Sequence, residues 1–144
     1  MNLKIKLLDE RAKLFYATPG SAAMDLRACI DEPLAIAPGE LVSVPAGVAI
    51  ALPSAEYVAL VFARSGLGVK HGVALSNGVG VIDSDYRGEI RVGLTNLSRE
   101  PYTIQPGDRV AQLAVMPVVQ AQLTYVDELD ETERGAGGFG STGK

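Results

Sequence analysis

Two aspartates near the middle of the chain are the first residues that could perform catalysis. Asp83 and Asp85 lie between two β-rich runs, in a segment from Gly78 to Val92 that predicts a hairpin. A carboxylate at such a position could accept a proton from a water molecule. Two structural explanations stay open, because aspartate in a turn often hydrogen-bonds its own backbone and because either carboxylate could pair with Arg87 or Arg91.

Two other segments carry groups that suit a phosphate. Arg64 and Ser65 stand at the predicted start of a short helix, where a guanidinium and a hydroxyl can reach phosphate oxygens. The glycine-rich segment 134–144 combines an arginine and a phenylalanine with two adjacent hydroxyls, Ser141 and Thr142. Arginine matches phosphate and a phenyl ring stacks on bases, so this segment predicts a mobile lid for a phosphorylated, flat-ringed ligand. The alternative is a disordered C-terminus.

The composition excludes several classes of function. With 144 residues and a net charge of −4, the chain is most simply one domain without the basic surface that nonspecific nucleic-acid binding requires. The run without a charged residue from Leu41 to Ala55 is too short for a membrane helix. The N-terminus lacks the apolar stretch of a signal peptide, so a glycosylation acceptor sequence at Asn96 is interpreted as a chance match. The single cysteine, Cys29, forms no internal disulfide, and we expect a cytoplasmic protein without nucleic-acid or membrane partners.

Short β-type runs dominate the rest of the sequence. Apolar and charged residues alternate from Leu3 to Leu7, and Leu41 to Ile50 is a longer β-rich run. The only predicted helix, Ser65 to Lys70, could be capped by its own first residue. This pattern predicts an all-β, jelly-roll-like double-sheet barrel with one short helix and a flexible glycine-rich C-terminal arm. We place the core in residues 1–126, and an acidic connector with the lid in residues 127–144.

Five segments, in this order, resemble the trimeric dUTP diphosphatases, or dUTPases, across the whole chain. The segment that contains Asp83 and the C-terminal segment are specific, whereas the other three would be weak signals alone. The chain has Ala23 where the family usually has glycine, which is a small change in the first segment. The five segments are Ala22 to Ala28, Arg64 to Gly68, Asn77 to Gly88, Gly107 to Leu113 and Arg134 to Ser141.

The resemblance implies hydrolysis of dUTP to dUMP and pyrophosphate by attack of water on the α-phosphorus. This reaction keeps uracil out of DNA and supplies dUMP for thymidylate synthesis. Asp83 looks like the general base, and Asp85 is assigned a structural role. Tyr86 is expected to pack under the deoxyribose and exclude a 2′-hydroxyl. The residues expected to read uracil are Asn77, Val81 and Ile82.

The resemblance also implies a homotrimer in which three active sites are shared between subunits. Arg91 is a further candidate for substrate binding, and Asp25 is expected near the waters around the metal. The phosphate contacts expected from a neighbouring subunit are Arg64, Ser65, Gly66 and Gln112. The contacts expected from the lid are Arg134, Phe139, Gly140, Ser141 and Thr142. Mg²⁺ is expected on the substrate phosphates and waters, with no protein residue as its direct ligand.

Two other functions stay open at this point. A dCTP deaminase-like enzyme would share the fold, but the glutamate that activates its nucleophile and its hairpin sequence are not matched here. A non-catalytic jelly-roll binding module would be expected to have a damaged hairpin or to lack the tail, whereas both segments are intact in this sequence. Pyrophosphate release from dUTP distinguishes the three functions.

Overall fold

The computed structural model describes residues 1–138 and confirms the predicted all-β fold. One helix, α1 (Ser65–His71), follows the sixth strand, and a short 3₁₀ helix (Glu10–Ala12) follows the first. The strands are β1 (Lys4–Leu7), β2 (Met24–Arg27), β3 (Leu34–Ile36), β4 (Leu41–Pro45), β5 (Val48–Ala51), β6 (Tyr57–Phe62), β7 (Val73–Leu75), β8 (Gly80–Ile82), β9 (Arg91–Asn96), β10 (Tyr102–Ile104) and β11 (Arg109–Pro117).

The strands pair in an antiparallel manner and form four sheets. The largest sheet has the order β2-β11-β6-β8, and a three-stranded sheet has the order β4-β9-β7. Two small sheets pair β1 with β5 and β3 with β10. Strands that are adjacent in a sheet are mostly distant in sequence, which is typical of jelly rolls rather than of simple meanders.

A single cluster of buried apolar side chains connects the strands of the different sheets. β9 illustrates how this cluster forms. Val92 and Leu94 are buried, whereas Arg91 at the start of the strand is exposed, because successive side chains of a strand point to opposite faces. Each large apolar side chain buried in this way contributes about 1.5–3 kcal/mol to folding. In the described part of the chain, Leu113 is the last fully buried apolar residue.

Asn96 is the one buried polar residue of the described chain, with 0% of its surface exposed. Its Nδ2 donates to the carbonyl oxygens of Ile36, at 2.9 Å, and Glu100, at 2.8 Å. Its Oδ1 accepts the backbone N–H of Ser98 at 2.9 Å and the hydroxyl of the same residue at 2.7 Å. The side chain therefore organises the turn after β9, and its burial agrees with the interpretation of the acceptor sequence as a chance match.

One local expectation is wrong, and one β-rich run divides into two strands. Ser65 does not cap α1, because the cap position is Arg64, whose extended backbone accepts the N–H of Gly68 at 2.9 Å. The run from Leu41 to Ile50 is not one strand. Gly47 adopts a left-handed conformation, with φ of +64°, and this turn divides the run into β4 and β5.

The predicted hairpin around Asp83 is also wrong. β8 pairs with β6 in the four-stranded sheet, whereas β9 pairs with β4 and β7 in the three-stranded sheet. The reason is visible at Ile90, whose N–H donates to Val48 O at 2.8 Å and whose carbonyl accepts the N–H of Ala46 at 3.0 Å. The chain is thereby held against the turn between β4 and β5, and residues 83–90 connect two sheets.

After Pro117 the described chain contains no further strand or helix up to residue 138. Several apolar side chains in this stretch are exposed, among them Val119, Leu123 and Tyr125. The division of the chain between residues 126 and 127 stays a prediction. No helix within residues 1–138 combines the length and the apolar character that a membrane span requires.

Candidate active site

A cavity of about 280 Å³ lies where the chain passes from β8 to β9. We call it the carboxylate cavity. It is close to the lower end of the range for small-molecule sites, roughly 300–1,000 Å³, so it suits a nucleoside-sized group better than a whole nucleoside triphosphate. Six predicted site residues line it together: Asn77, Val81, Ile82, Asp83, Tyr86 and Arg91.

One wall of the carboxylate cavity is the backbone of β8. This strand pairs with β6 from Gly80 opposite Val61 to Ile82 opposite Ala59, and its other edge has no partner strand within residues 1–138. An edge strand presents unpaired N–H and C=O groups at fixed spacing. Such a row of donors and acceptors can distinguish planar polar rings by the pattern of hydrogen-bonding groups on their edges.

Tyr86 lies across the segment that connects β8 to β9. Its hydroxyl donates to the carbonyl oxygen of Glu89 at 3.0 Å, and the residue remains 46% exposed. Gly88 makes this arrangement possible, since a Cβ at that position would collide with the Tyr86 hydroxyl. The ring is therefore fixed at its far end while its exposed part is available to a ligand.

The Asp83 carboxylate is exposed and accepts no hydrogen bond from any residue within 1–138. The ion pair with Arg87, which was one of the alternative explanations, is absent from this described range, because Arg87 donates to the carbonyl oxygens of Ser84 and Tyr86 instead. The other explanation, that the Asp83 side chain hydrogen-bonds the backbone of its own turn, fails because the described chain contains no such bond. Asp83 is thus available to bind a water molecule or a ligand.

Asp85 makes no side-chain hydrogen bond in the described chain either, and the structural role assigned to it stays a prediction. It does not line the carboxylate cavity, whereas Asp83 does. Arg91, the second arginine considered as an ion-pair partner of the two aspartates, contacts Ser43 rather than either of them. Its Nε donates to Ser43 Oγ and its Nη2 to the carbonyl oxygen of Ser43, each at 3.0 Å. Position, rather than the presence of a carboxylate alone, therefore distinguishes Asp83.

A second cavity, of about 310 Å³, lies between β2, β11 and the start of α1, and we call it the arginine cleft. Asp25, whose side chain is 17% exposed, lies between two guanidinium groups. Its Oδ1 is 2.9 Å from Arg64 Nε, and its Oδ2 is 3.3 Å from Arg109 Nη1. Gln112 is held by a bond from its Nε2 to the carbonyl oxygen of Ala63 at 2.9 Å. Because the cleft contains two guanidinium groups and only one carboxylate to neutralise them, it keeps a net positive charge that suits an anion.

The carboxylate cavity and the arginine cleft lie toward opposite ends of β6. Ile82 pairs with Ala59, so Asp83 lies beside the start of β6, whereas Arg64 follows its end. The six residue-to-residue steps of extended chain from 58 to 64 span roughly 20 Å at about 3.3 Å per step. One copy of the chain therefore does not bring Asp83 and Arg64 to the same phosphate group.

The other predicted residues are distributed as follows. Ser65 lines the arginine cleft, and Gly66 lines an adjacent cavity that shares Arg64 and Arg109 with it. Arg134 lines neither the carboxylate cavity nor the arginine cleft, and its Nε donates to the carbonyl oxygen of Gly137 at 2.9 Å. The predicted lid residues that lie outside the described residues are Phe139, Gly140, Ser141 and Thr142.

Sequence reasoning missed three residues at these sites. Glu89 and Gly93 line the carboxylate cavity, and Arg109 lines the arginine cleft. Arg109 belongs to one of the five family-like segments, and its charge was a usable signal. No signal in the sequence singles out Gly93, where an added Cβ would lie 2.6 Å from Ser76 Oγ and would force that hydroxyl to move.

The residues of the arginine cleft fit magnesium only as a companion of a phosphate ligand. Within residues 1–138 no group of three or more His, Cys, Asp or Glu side chains is arranged to hold a metal ion. Both oxygens of Asp25 face guanidinium groups. Mg²⁺ commonly binds through substrate phosphates, waters and at most one or two carboxylates, and this cleft suits that mode.

Comparisons with known proteins show which family this chain is similar to. A model of the dUTPase family matches residues 10–143. A deoxyuridine 5′-triphosphate nucleotidohydrolase of Idiomarina loihiensis is 51% identical over 147 aligned positions, which cover 99% of this chain and 97% of that protein. The protein of the same name from Desulfitobacterium hafniense is 53% identical, again over 99% of this chain and 97% of its own.

Solved structures show the same fold. A variant of the Staphylococcus bacteriophage 80alpha dUTPase with dUpNHpp is similar with a TM-score of 0.88 and 26% identity, over 99% of each chain. A dUTPase variant from phage phi11 of S. aureus, described with a structural Mg(II) ion, has a TM-score of 0.79 and 24% identity. That alignment covers 89% of this chain and 98% of the phage chain, and it supports the fold alone.

Proposed function

This chain belongs to the dUTPase family, and from this premise we infer that it hydrolyses dUTP to dUMP and pyrophosphate. The reaction removes a wrong precursor of DNA and supplies dUMP for thymidylate synthesis. The observation in the structure that carries the proposal is the Asp83 carboxylate, which has no side-chain partner within residues 1–138 and lines a nucleoside-sized cavity. The proposed location is the cytoplasm, which the single cysteine, Cys29, favours.

Asp83 acts as the general base in the proposed mechanism. Its carboxylate orients a water molecule and accepts a proton as the water oxygen attacks the α-phosphorus. The new bond joins the water oxygen to the α-phosphorus, and the bond from that phosphorus to the oxygen bridging to the β-phosphate breaks. Pyrophosphate leaves with the bridging oxygen. The reaction needs positioning and charge stabilisation more than covalent participation of the protein.

The carboxylate cavity binds the nucleoside in this proposal. The donors and acceptors for uracil come from the amide of Asn77 and from the edge of β8 that has no partner strand in the described chain. Tyr86, fixed at its hydroxyl by Glu89, packs against the deoxyribose and leaves no room for a 2′-hydroxyl. Backbone recognition explains selectivity against cytosine, because the exchange of a ring carbonyl for an amino group reverses a donor and an acceptor.

The arginine cleft binds the phosphates in this proposal, and it belongs to a neighbouring copy. The separation of roughly 20 Å along β6 between the two sites supports an assembly in which sites are shared. A homotrimer with three such sites is our proposal for the oligomeric state. The cleft residues expected to contact phosphate are Arg64, Ser65, Gly66 and Gln112, with Arg109 as an addition from the structure.

Magnesium is the proposed metal, bound through the triphosphate and its waters. When bound, it would offset the negative charge of the phosphate groups at the reacting phosphorus. Asp25 would lie close to its waters, while its own charge holds Arg64 and Arg109 in place. The C-terminal residues from Arg134 onward are proposed to act as a lid that completes the site over the triphosphate.

Release of pyrophosphate from dUTP, dTTP, dCTP and UTP, measured with the wild-type chain and Mg²⁺, tests the proposed function. We expect turnover of dUTP to exceed that of the other three nucleotides by at least about 100-fold in kcat/KM, which requires a few kcal/mol of discrimination. Deamination of dCTP would instead indicate the deaminase. The absence of turnover with every nucleotide would indicate a binding module, and either outcome would contradict the proposal.

A further inference from the structure

Glu89 is a second carboxylate in the carboxylate cavity, and the proposed reaction does not use it. Both of its oxygens are engaged by the protein. Oε1 accepts the N–H of Gly47 at 3.0 Å, and Oε2 lies 3.5 Å from Nη1 of Arg91. The side chain is 29% exposed. Unlike Asp83, this carboxylate is committed to other parts of the molecule and is therefore not a competing general base.

The glycine that Glu89 contacts occupies a rigid position in the turn between β4 and β5. An added Cβ at Gly47 would lie 2.6 Å from Cys29 Sγ and 2.9 Å from Asp9 Cβ. Its carbonyl oxygen accepts the N–H groups of Leu8 and Asp9, at 2.8 and 3.1 Å. Asp9 is itself held by Arg11, whose hydrogen bonds lower the pKa of the Asp9 carboxyl to about 2. The turn is thus fixed on several sides.

The backbone of Glu89 holds the residue that is proposed to select the sugar. Its carbonyl oxygen accepts the Tyr86 hydroxyl at 3.0 Å. Its side chain reaches in the other direction to the fixed N–H of Gly47. Glu89 therefore joins the aromatic ring in the cavity to a rigid turn outside it, through one acceptor of its backbone and one of its side chain.

We propose that Glu89 is a positioning residue for nucleotide selection. By accepting the N–H of Gly47, its side chain holds the segment 83–90 so that the Tyr86 ring stays where it excludes a 2′-hydroxyl. A hydrogen-bond acceptor is sufficient for this role, and the negative charge facing Arg91 is not required. The inference rests on the proposed function, since it concerns the selection of dUTP over UTP.

Three variants separate this role from a general loss of stability. Glu89→Ala removes the acceptor, Glu89→Gln retains an acceptor without the charge, and Glu40→Ala is the matched control. Glu40 also accepts a backbone N–H at a turn, from Ala37 at 2.7 Å, and it lies outside the lining of the carboxylate cavity. The measurements are kcat and KM for dUTP and UTP, with melting temperature recorded in parallel.

Glu89→Ala is expected to raise KM for dUTP about tenfold and to lower the preference for dUTP over UTP about tenfold, which is the size of one lost hydrogen bond. We expect kcat for dUTP to stay within about threefold, because Asp83 is not contacted by Glu89. Glu89→Gln should restore both quantities to within about twofold of wild type. Glu40→Ala should change neither of them.

Unchanged selectivity in Glu89→Ala would overturn the inference, and so would a Glu89→Gln variant as impaired as Glu89→Ala, since charge would then be the essential property. If Glu89→Ala does not fold, Tyr86→Phe serves as the test, because it removes the hydrogen bond from the Tyr86 hydroxyl to the carbonyl oxygen of Glu89. Selectivity equal to that of the wild type in Tyr86→Phe would also overturn the inference. Failure of the wild-type chain to hydrolyse dUTP, measured first, would instead contradict the proposed function itself.

Discussion

Asp83→Asn is expected to lower kcat for dUTP by about 10²–10⁴-fold while the affinity for a non-hydrolysable dUTP analogue stays within about threefold of the wild-type value. The amide keeps the size and polarity of the carboxylate but cannot accept a proton from water. Because the Asp83 side chain bonds to no residue in the described range, its replacement breaks no internal hydrogen bond. Pyrophosphate release and calorimetric titration with the analogue measure the two quantities.

Asp85→Asn is the matched control for this prediction. Asp85 is also exposed and also makes no side-chain hydrogen bond within residues 1–138, but it does not line the carboxylate cavity. Its kcat should remain within about threefold of wild type. Near-normal hydrolysis by Asp83→Asn, or an equal loss in both variants, would remove Asp83 from the role of general base.

Deletion of residues 134–144 is expected to lower kcat/KM for dUTP by at least about 100-fold with little change in melting temperature. Hydrogen bonds to charged phosphate oxygens contribute about 1.5–3 kcal/mol each, and stacking of an aromatic ring on a base about 1–3 kcal/mol, so the loss of two such contacts suffices. The fully buried core of the described chain ends at Leu113, and Arg134 hydrogen-bonds only within its own turn. Among the described residues, the deletion therefore removes no fully buried side chain.

Two further variants make the deletion specific. A glycine-serine sequence of the same length in place of residues 134–144 should be as inactive as the deletion, because side chains rather than chain length make the contacts. Removal of Lys144 alone should have little effect. A large drop in melting temperature after the deletion would show that the segment stabilises the fold, and the lid proposal would then fail.

Much of the fold could be predicted because strand patterns are local. Alternation in β9 and the short helix after Arg64 both appear in the sequence as they do in the structure. Strand partners are not local, and this is where the hairpin prediction failed. Two β-rich runs on either side of Asp83 look like a hairpin, but the backbone of Ile90 finds its partners in the turn between β4 and β5.

The candidate site was predictable to the extent that chemistry is visible in single residues. The five residues assigned to the nucleoside and to catalysis line one cavity together with the substrate-binding candidate Arg91. Another cavity is lined by Arg64, Ser65 and Gln112. The role of Glu89 could not be predicted, since it depends on a turn 42 residues away in sequence. The distance between the two cavities likewise depends on the register of β8 against β6, which side-chain chemistry does not encode.

The central claim is that one dUTP molecule is bound by the carboxylate cavity of one copy and the arginine cleft of another. Co-expression of Asp83→Asn chains with Arg64→Gln chains tests it directly, since each variant alone is expected to be almost inactive. With random assembly, about one quarter of shared sites receive an intact Asp83 and an intact Arg64 from different copies. We predict recovery of roughly that fraction of wild-type turnover, whereas mixed assemblies no more active than the two separate variants would contradict the account.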